Sequence, residues 1–146
     1  MILTEITKNI LNYFGCEGAE ITEQEIDGRI IVDIKATNGR DLVGEKGATL
    51  LVLQHIIRRI ASKQISPSIV VDIDVNGYKK MRESILRDFA LDVGNKVRIN
   101  KKSVELEPMP STDRRIIHLT LASFSDITTE SAGEGFSRYV IVRPYP

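Results

Sequence analysis

The chain has 146 residues, 27% of them charged and 42% hydrophobic, with 20 Lys+Arg balanced by 20 Asp+Glu. That composition excludes a disordered, collagen-like or wholly coiled-coil chain, and the length suits one domain or two small ones. A charged residue interrupts every apolar run before it reaches the roughly 18–20 residues that a membrane-spanning helix needs, so no membrane insertion is expected.

Cys16 is the only cysteine, which rules out an internal disulfide, and two histidines supply no metal-ligand spacing. A reducing, cytoplasmic setting without metal or cofactor is the expectation. The zero net charge is unevenly spread. Residues 1–75 hold 8 Lys+Arg against 11 Asp+Glu, and residues 76–146 hold 12 against 9. The basic second half suits a polyanionic partner. Low aromatic content (5%, no Trp) speaks against a surface built mainly on base stacking.

Residues Ile2, Ile6, Ile10 and Tyr13 or Phe14 recur at helical spacing and predict an amphipathic helix ending at Gly15. Glu5 and Lys8 within it argue against a signal peptide. Two extended segments, 19–26 and 29–36, flank Asp27-Gly28, a strong hairpin signal. Asn38-Gly39 breaks the chain and Asp41-Leu42-Val43 reads as a short apolar turn. A long helix then starts at Gly47, with Leu50, Leu53, Ile57 and Ile60 inward and Gln54, His55, Arg58 and Arg59 outward.

A strand is expected over 69–75, with Val71, Ile73 and Val75 on one side, and a domain junction near residue 76. Beyond it the spacing predicts a helix over 78–97 with Met81, Ile85, Phe89 and Val93 along its inner stripe, and a short strand over 103–107. Pro108-Met109-Pro110 forces an extended turn before a helix capped by Ser111 and running to about Ala122, its first turn holding Asp113. Residues 125–135 read as a Thr-, Ser- and Gly-rich loop, followed by a strand over 139–142.

Two constellations carry chemistry. Gly44-Glu45-Lys46-Gly47, ahead of the long helix, is a GxxG loop that can bring backbone close to a phosphate strand. In its setting of helix, hairpin, long helix and closing strand, it resembles the KH domain of the type that begins with a helix and two strands. In KH domains this loop clamps about four backbone nucleotides. The second is Arg114-Arg115-Ile116-Ile117-His118, which sets Arg114 and His118 on one helical face with Arg115 close by.

The flanks of the second constellation are Leu106-Glu107-Pro108-Met109-Pro110, Thr128-Thr129-Glu130-Ser131, Gly133-Glu134-Gly135 and Arg138. With them it resembles the single-stranded nucleic acid-binding domain named for its Arg-x-x-x-His signature. Both halves together are similar to the bacterial Jag (SpoIIIJ-associated) family. That resemblance implies an α+β chain with a KH-like domain over 1–75 and the Arg-x-x-x-His domain over 76–146. It also implies an RNA-binding protein acting in cell elongation, division or envelope homeostasis, often beside a small KH protein. By the same resemblance, Gly44 and Gly47 are the clamp glycines, and Arg114 and His118 the nucleic-acid contacts.

The expected binding set is thus Gly44, Glu45, Lys46, Gly47, Arg58, Lys101, Lys102, Arg114, Arg115, His118 and Arg138, facing single-stranded RNA or single-stranded DNA. Two departures stand out. Glu45 takes the place of one of two basic residues common in the clamp, and the chain is read as lacking the N-terminal Jag domain of many relatives.

An enzymatic reading finds no support. GEKG lacks the P-loop spacing, Ser131 has neither a nucleophile elbow nor a base, and nothing near Glu105 and Glu107 completes an acid–base pair. The alternative is a protein–protein adaptor that docks a partner KH protein, with oligomeric state open.

Overall fold

A computed structural model describes residues 2–145. The fold is α+β, and the chain divides into two compact units, residues 1–79 and 80–146.

In the first unit the order is α1 (Ile2–Tyr13), β1 (Glu20–Ile26), β2 (Arg29–Lys35), α2 (Gly39–Val43), α3 (Ala48–Gln64) and β3 (Val70–Val75). Its sheet runs β1-β2-β3, antiparallel then parallel. Asp27 and Gly28 both take positive φ (51° and 77°), which matches the strand twist at a two-residue hairpin. The parallel β2–β3 pair needs a crossover, and α2 and α3 supply it. Val32, Ile34, Val71, Ile73 and Val75 fill one side of the sheet against Leu50, Leu53, Ile57 and Ala61 of α3. Burying each of the Val, Leu and Ile side chains contributes about 1.5–3 kcal/mol relative to exposure.

The inner face of α1 differs from expectation. Leu3, Thr7 and Leu11 are buried, whereas Ile2, Tyr13 and Phe14 are exposed and Ile6 and Ile10 lie at the margin. The apolar arc is broad, and the spacing alone did not fix its deepest line. Residues 41–43, expected as a short turn, belong to the short helix α2.

The free edge of β3 is closed by side chains of its neighbours. Arg58 Nε donates to the Val71 carbonyl, and the Ile73 N–H donates to Gln54 Oε1 at 3.0 Å. The Val75 N–H donates to Asp74 Oδ1 at 2.9 Å. Gln54 and Arg58 are one turn apart on α3, so a single helical row covers the strand's outward polar groups.

The chain passes into the second unit through α4 (Tyr78–Asn100), whose Tyr78 still packs on the first core. There follow β4 (Val104–Glu105), α5 (Ser111–Leu121), β5 (Ile127–Ala132) and β6 (Tyr139–Pro144), with an antiparallel sheet ordered β4-β6-β5. The core gathers Leu86, Ala90, Val93 and Val97 of α4, Ile117 and Leu121 of α5, and Val140 and Val142 of β6.

Three expectations change here. The buried line of α4 passes through Leu86, Ala90, Val93, Gly94 and Val97, leaving Met81, Ile85 and Phe89 exposed. Small residues set that choice, because a Cβ on Gly94 would come within 2.9 Å of Leu121. Residues 127–132, expected as loop, form β5. Ser111 opens α5 without capping it; Pro110 precedes the helix with extended backbone, and its carbonyl accepts from the Arg114 N–H at 3.0 Å. Asp113 is buried and accepts from Arg82 Nη2 at 2.9 Å.

Candidate nucleic-acid interface

On α5, Arg114 and His118 sit one turn apart, both half-buried and turned toward β5, while Arg115 points to solvent. Alternation along β5 puts Thr129 and Ser131 on the side facing them. His118 Nδ1 is 2.7 Å from Thr129 Oγ1, and His118 Nε2 is 2.9 Å from Ser131 Oγ. Arg114 Nη1 donates to the same Ser131 oxygen at 3.3 Å, and its Nε donates to the Met109 carbonyl at 3.2 Å.

The imidazole is therefore held at both nitrogens by hydroxyls, which can donate or accept. Burial, reinforced by the Arg114 guanidinium, lowers the His118 pKa below its ordinary value and favours the neutral ring.

Arg138 lies just before β6. Its Nη1 donates to the Gly133 carbonyl at 2.7 Å, and its own carbonyl accepts from the Met109 N–H at 3.1 Å. Arg114, Met109 and Arg138 are thus tied in one chain of hydrogen bonds. Lys101 and Lys102 are exposed just after α4, where Lys101 turns into left-handed backbone (φ 55°) and closes the helix through Val97.

In the first unit the GxxG loop is a tight reversal between α2 and α3. Gly44 has φ 73°, Lys46 φ 53° and Gly47 φ 80°, three left-handed residues in four. Both glycines also answer to packing: a Cβ on Gly44 would lie 2.2 Å from Thr49 Oγ1, and one on Gly47 would lie 3.0 Å from the Tyr78 ring. Glu45 is exposed at the tip and Lys46 half-exposed. Beside the loop, Phe14, Leu42, Thr49, Val52 and Ile56 line an apolar cleft of about 350 Å³.

Arg58 does not join that loop. It lies along β3, bonded to Val71 and paired with Asp72 at 2.7 Å.

The structure thus brings Arg114 and His118 together with two residues absent from the expected set, Thr129 and Ser131. Their signal was the period-two spacing of hydroxyl residues in a segment read as loop. Among the described residues no helix is long and apolar enough to cross a membrane, and no group of three or more His, Cys, Asp or Glu is placed to hold a metal ion.

The family of the R-3-H domain, the domain of the Arg-x-x-x-His signature, matches residues 84–144. The RNA-binding protein KhpB of Clostridium symbiosum is 36% identical over 121 residues, covering 83% of this chain and 53% of that protein. KhpB of Bacillus subtilis is 31% identical over 126 residues, covering 85% of this chain and 61% of its own length. KhpB of Lactiplantibacillus plantarum is 33% identical over 101 residues. The chain spans little more than half the length of the first two. Because the first two alignments are longer than either unit, they reach into both, and together with the match over residues 84–144 they show that this chain belongs to the bacterial Jag family.

Proposed function

We propose that the chain binds single-stranded RNA without catalysing a reaction, each unit supplying one grip on the sugar–phosphate backbone. The observation that carries this reading is the pairing of Arg114 and His118 over the Thr129 and Ser131 hydroxyls. It is a fixed cationic and hydrogen-bonding surface within the segment that matches the Arg-x-x-x-His domain family. Arginine offers a permanently charged, bidentate fork for phosphate. His118 supplies a nitrogen that can take up a proton as phosphate approaches. Arg115, Arg138, Lys101 and Lys102 extend the positive surface of this unit.

In the KH-like unit, the backbone of Gly44–Gly47 receives the second stretch of strand, with Lys46 on the phosphates and bases entering the apolar cleft beside it. Glu45 weakens this grip. Two modest sites on one chain gain through effective concentration. The names of the KhpB relatives support RNA over single-stranded DNA, and family membership supports a role in bacterial cell elongation, division or envelope homeostasis.

The test is a titration of single-stranded RNA at several salt concentrations. Phosphate-driven binding gives a log–log slope of about −0.7 per neutralised phosphate. Replacing Arg114 and His118 together by Ala is expected to weaken binding at least tenfold and flatten the slope while the fold persists. A slope near zero in the parent chain overturns the reading. Co-purification of a small KH protein that survives nuclease, with no RNA affinity, favours the adaptor instead.

A further inference from the structure

We infer that Phe136 is a stacking platform for an unpaired base of the strand held at Arg114 and His118, a proposal that rests on the single-stranded RNA reading above. Phe136 is 106% exposed, the highest value among the exposed large hydrophobic residues described. A lone exposed apolar side chain is ordinary on a protein surface. What sets this one apart is that the loop beneath it is fastened while the ring is not.

The β5–β6 hairpin closes at the Ala132–Tyr139 pair, and residues 133–138 form its tip. The Ser137 N–H donates to the Glu134 carbonyl at 3.1 Å, and the Arg138 N–H to the Gly135 carbonyl at 3.3 Å, making a single helical turn of Gly135–Ser137. Arg138 Nη1 holds the Gly133 carbonyl across the base of the tip. Gly133 takes φ 84° and lies so close to the returning strand that a Cβ would sit 2.9 Å from the Ser137 carbonyl oxygen. Two left-handed glycines and four closing contacts thus fix the backbone on both sides of a ring that meets only water.

The tip is also wired to the cationic site. Ser131, which touches both Arg114 and His118, pairs with Val140 one register step below the closing pair. The Arg138 carbonyl accepts from Met109, whose own carbonyl accepts from Arg114. Phe136 is three residues from Gly133, at most about 11 Å of extended chain. Counted from Ser131, where Arg114 and His118 meet, the ring is five residues away, at most about 18 Å of extended chain. The base proposed to stack therefore lies within a few nucleotides of the phosphate on Arg114 and His118. Every base has a π-face, so the contact adds affinity without reading sequence. With 5% aromatics in the chain, a single ring on a fastened loop is the stacking surface this unit offers in the proposal.

The test compares the parent chain, F136A and F136W on uridine-rich and mixed-sequence single-stranded RNA. Loss of one stacked base is expected to weaken binding by about 5- to 100-fold. The salt slope should stay unchanged, whereas R114A makes it shallower by about 0.7, one phosphate's worth. F136W should retain affinity. The chain has no Trp, so its fluorescence reports the site alone and should be quenched by RNA. Thermal melting of F136A should match the parent, since the ring is packed against nothing.

Equal binding by F136A and the parent, or an unquenched F136W in a complex that still forms, overturns the stacking role and leaves the RNA reading intact. A parent chain that binds no RNA overturns both.

Discussion

His118 Nε2 and Arg114 Nη1 meet on one oxygen, the Ser131 hydroxyl, at 2.9 and 3.3 Å. A guanidinium that shares a partner with an imidazole keeps that imidazole neutral, and burial acts in the same direction and more strongly. Because the folded pKa lies below the unfolded one, stability from this group is present above the ordinary imidazole range near pH 6.5. It is lost as pH falls through the folded value. Bound phosphate has the opposite sign of effect and favours the imidazolium. Urea unfolding should therefore show the parent losing stability relative to H118Q as pH falls below the ordinary imidazole range near 6.5. RNA affinity should rise over the same window in the parent and stay flat in H118Q. Identical pH profiles for the two proteins would remove His118 from both roles.

The GxxG loop separates packing from binding. Gly44→Ala places a methyl against Thr49 at a positive φ, so destabilisation of about 1–3 kcal/mol is expected whether or not RNA touches the loop. Glu45 is exposed at the tip and carries no such burden. Removing its charge beside a phosphate path is worth on the order of 1 kcal/mol in water. E45K should bind single-stranded RNA about fivefold or more tightly at low salt, with melting unchanged, and K46D should bind more weakly. If neither substitution moves the affinity, the first unit makes no backbone contact there.

Much of the fold was legible because period and turn chemistry agree. Asp27-Gly28 fixed the hairpin, and alternation of Val71, Ile73 and Val75 marked β3. The misses share a cause: small or polar residues at positions that packing decides. Ala90 and Gly94 do not register in an apolar stripe, yet they let α4 approach α5 and β5, which left Met81, Ile85 and Phe89 on the outside. Thr7 occupies the middle of the α1 face, where an apolar count passes over it. β5 looks like a loop because Thr128, Thr129 and Ser131 suit both, and the strand exists only by pairing with β6. For the same reason the hydroxyl half of the cationic site was read only as a flank of the motif, while Arg114 and His118 stood out by spacing.

Arg58, expected at the nucleic-acid surface, lies along the sheet edge. With Gln54 it covers outward polar groups of β3, and it pairs with Asp72, which also pairs with Arg29 at 2.7 Å. Substituting Gln54 and Arg58 together by Ala should cost about 1–3 kcal/mol in unsatisfied backbone and lost ion pairing. It should also open an edge strand to other chains. Sedimentation across a concentration series is expected to show more self-association than the parent, with the RNA salt slope preserved. An unchanged sedimentation profile with a shallower salt slope would return Arg58 to the RNA surface.

Thr7 lies fully buried in α1, and its Oγ1 is the one buried side-chain polar atom among the described residues that lacks a hydrogen-bond partner. Burial of an unpaired hydroxyl costs about 1–3 kcal/mol, and the group leaves with little change of shape when Val replaces Thr. Both side chains are β-branched, so helix propensity and χ1 freedom stay nearly constant. Thr7→Val is expected to stabilise the first unit by about 1 kcal/mol and raise its melting temperature by about 4–8 °C. Thr7→Ala, which removes the hydroxyl but also a packed methyl, should give less than that or a net loss. RNA binding should be untouched, since the residue has no surface. A destabilised Thr7→Val protein would mean that the hydroxyl has a partner in solution, and differential scanning calorimetry of the two variants beside the parent decides it.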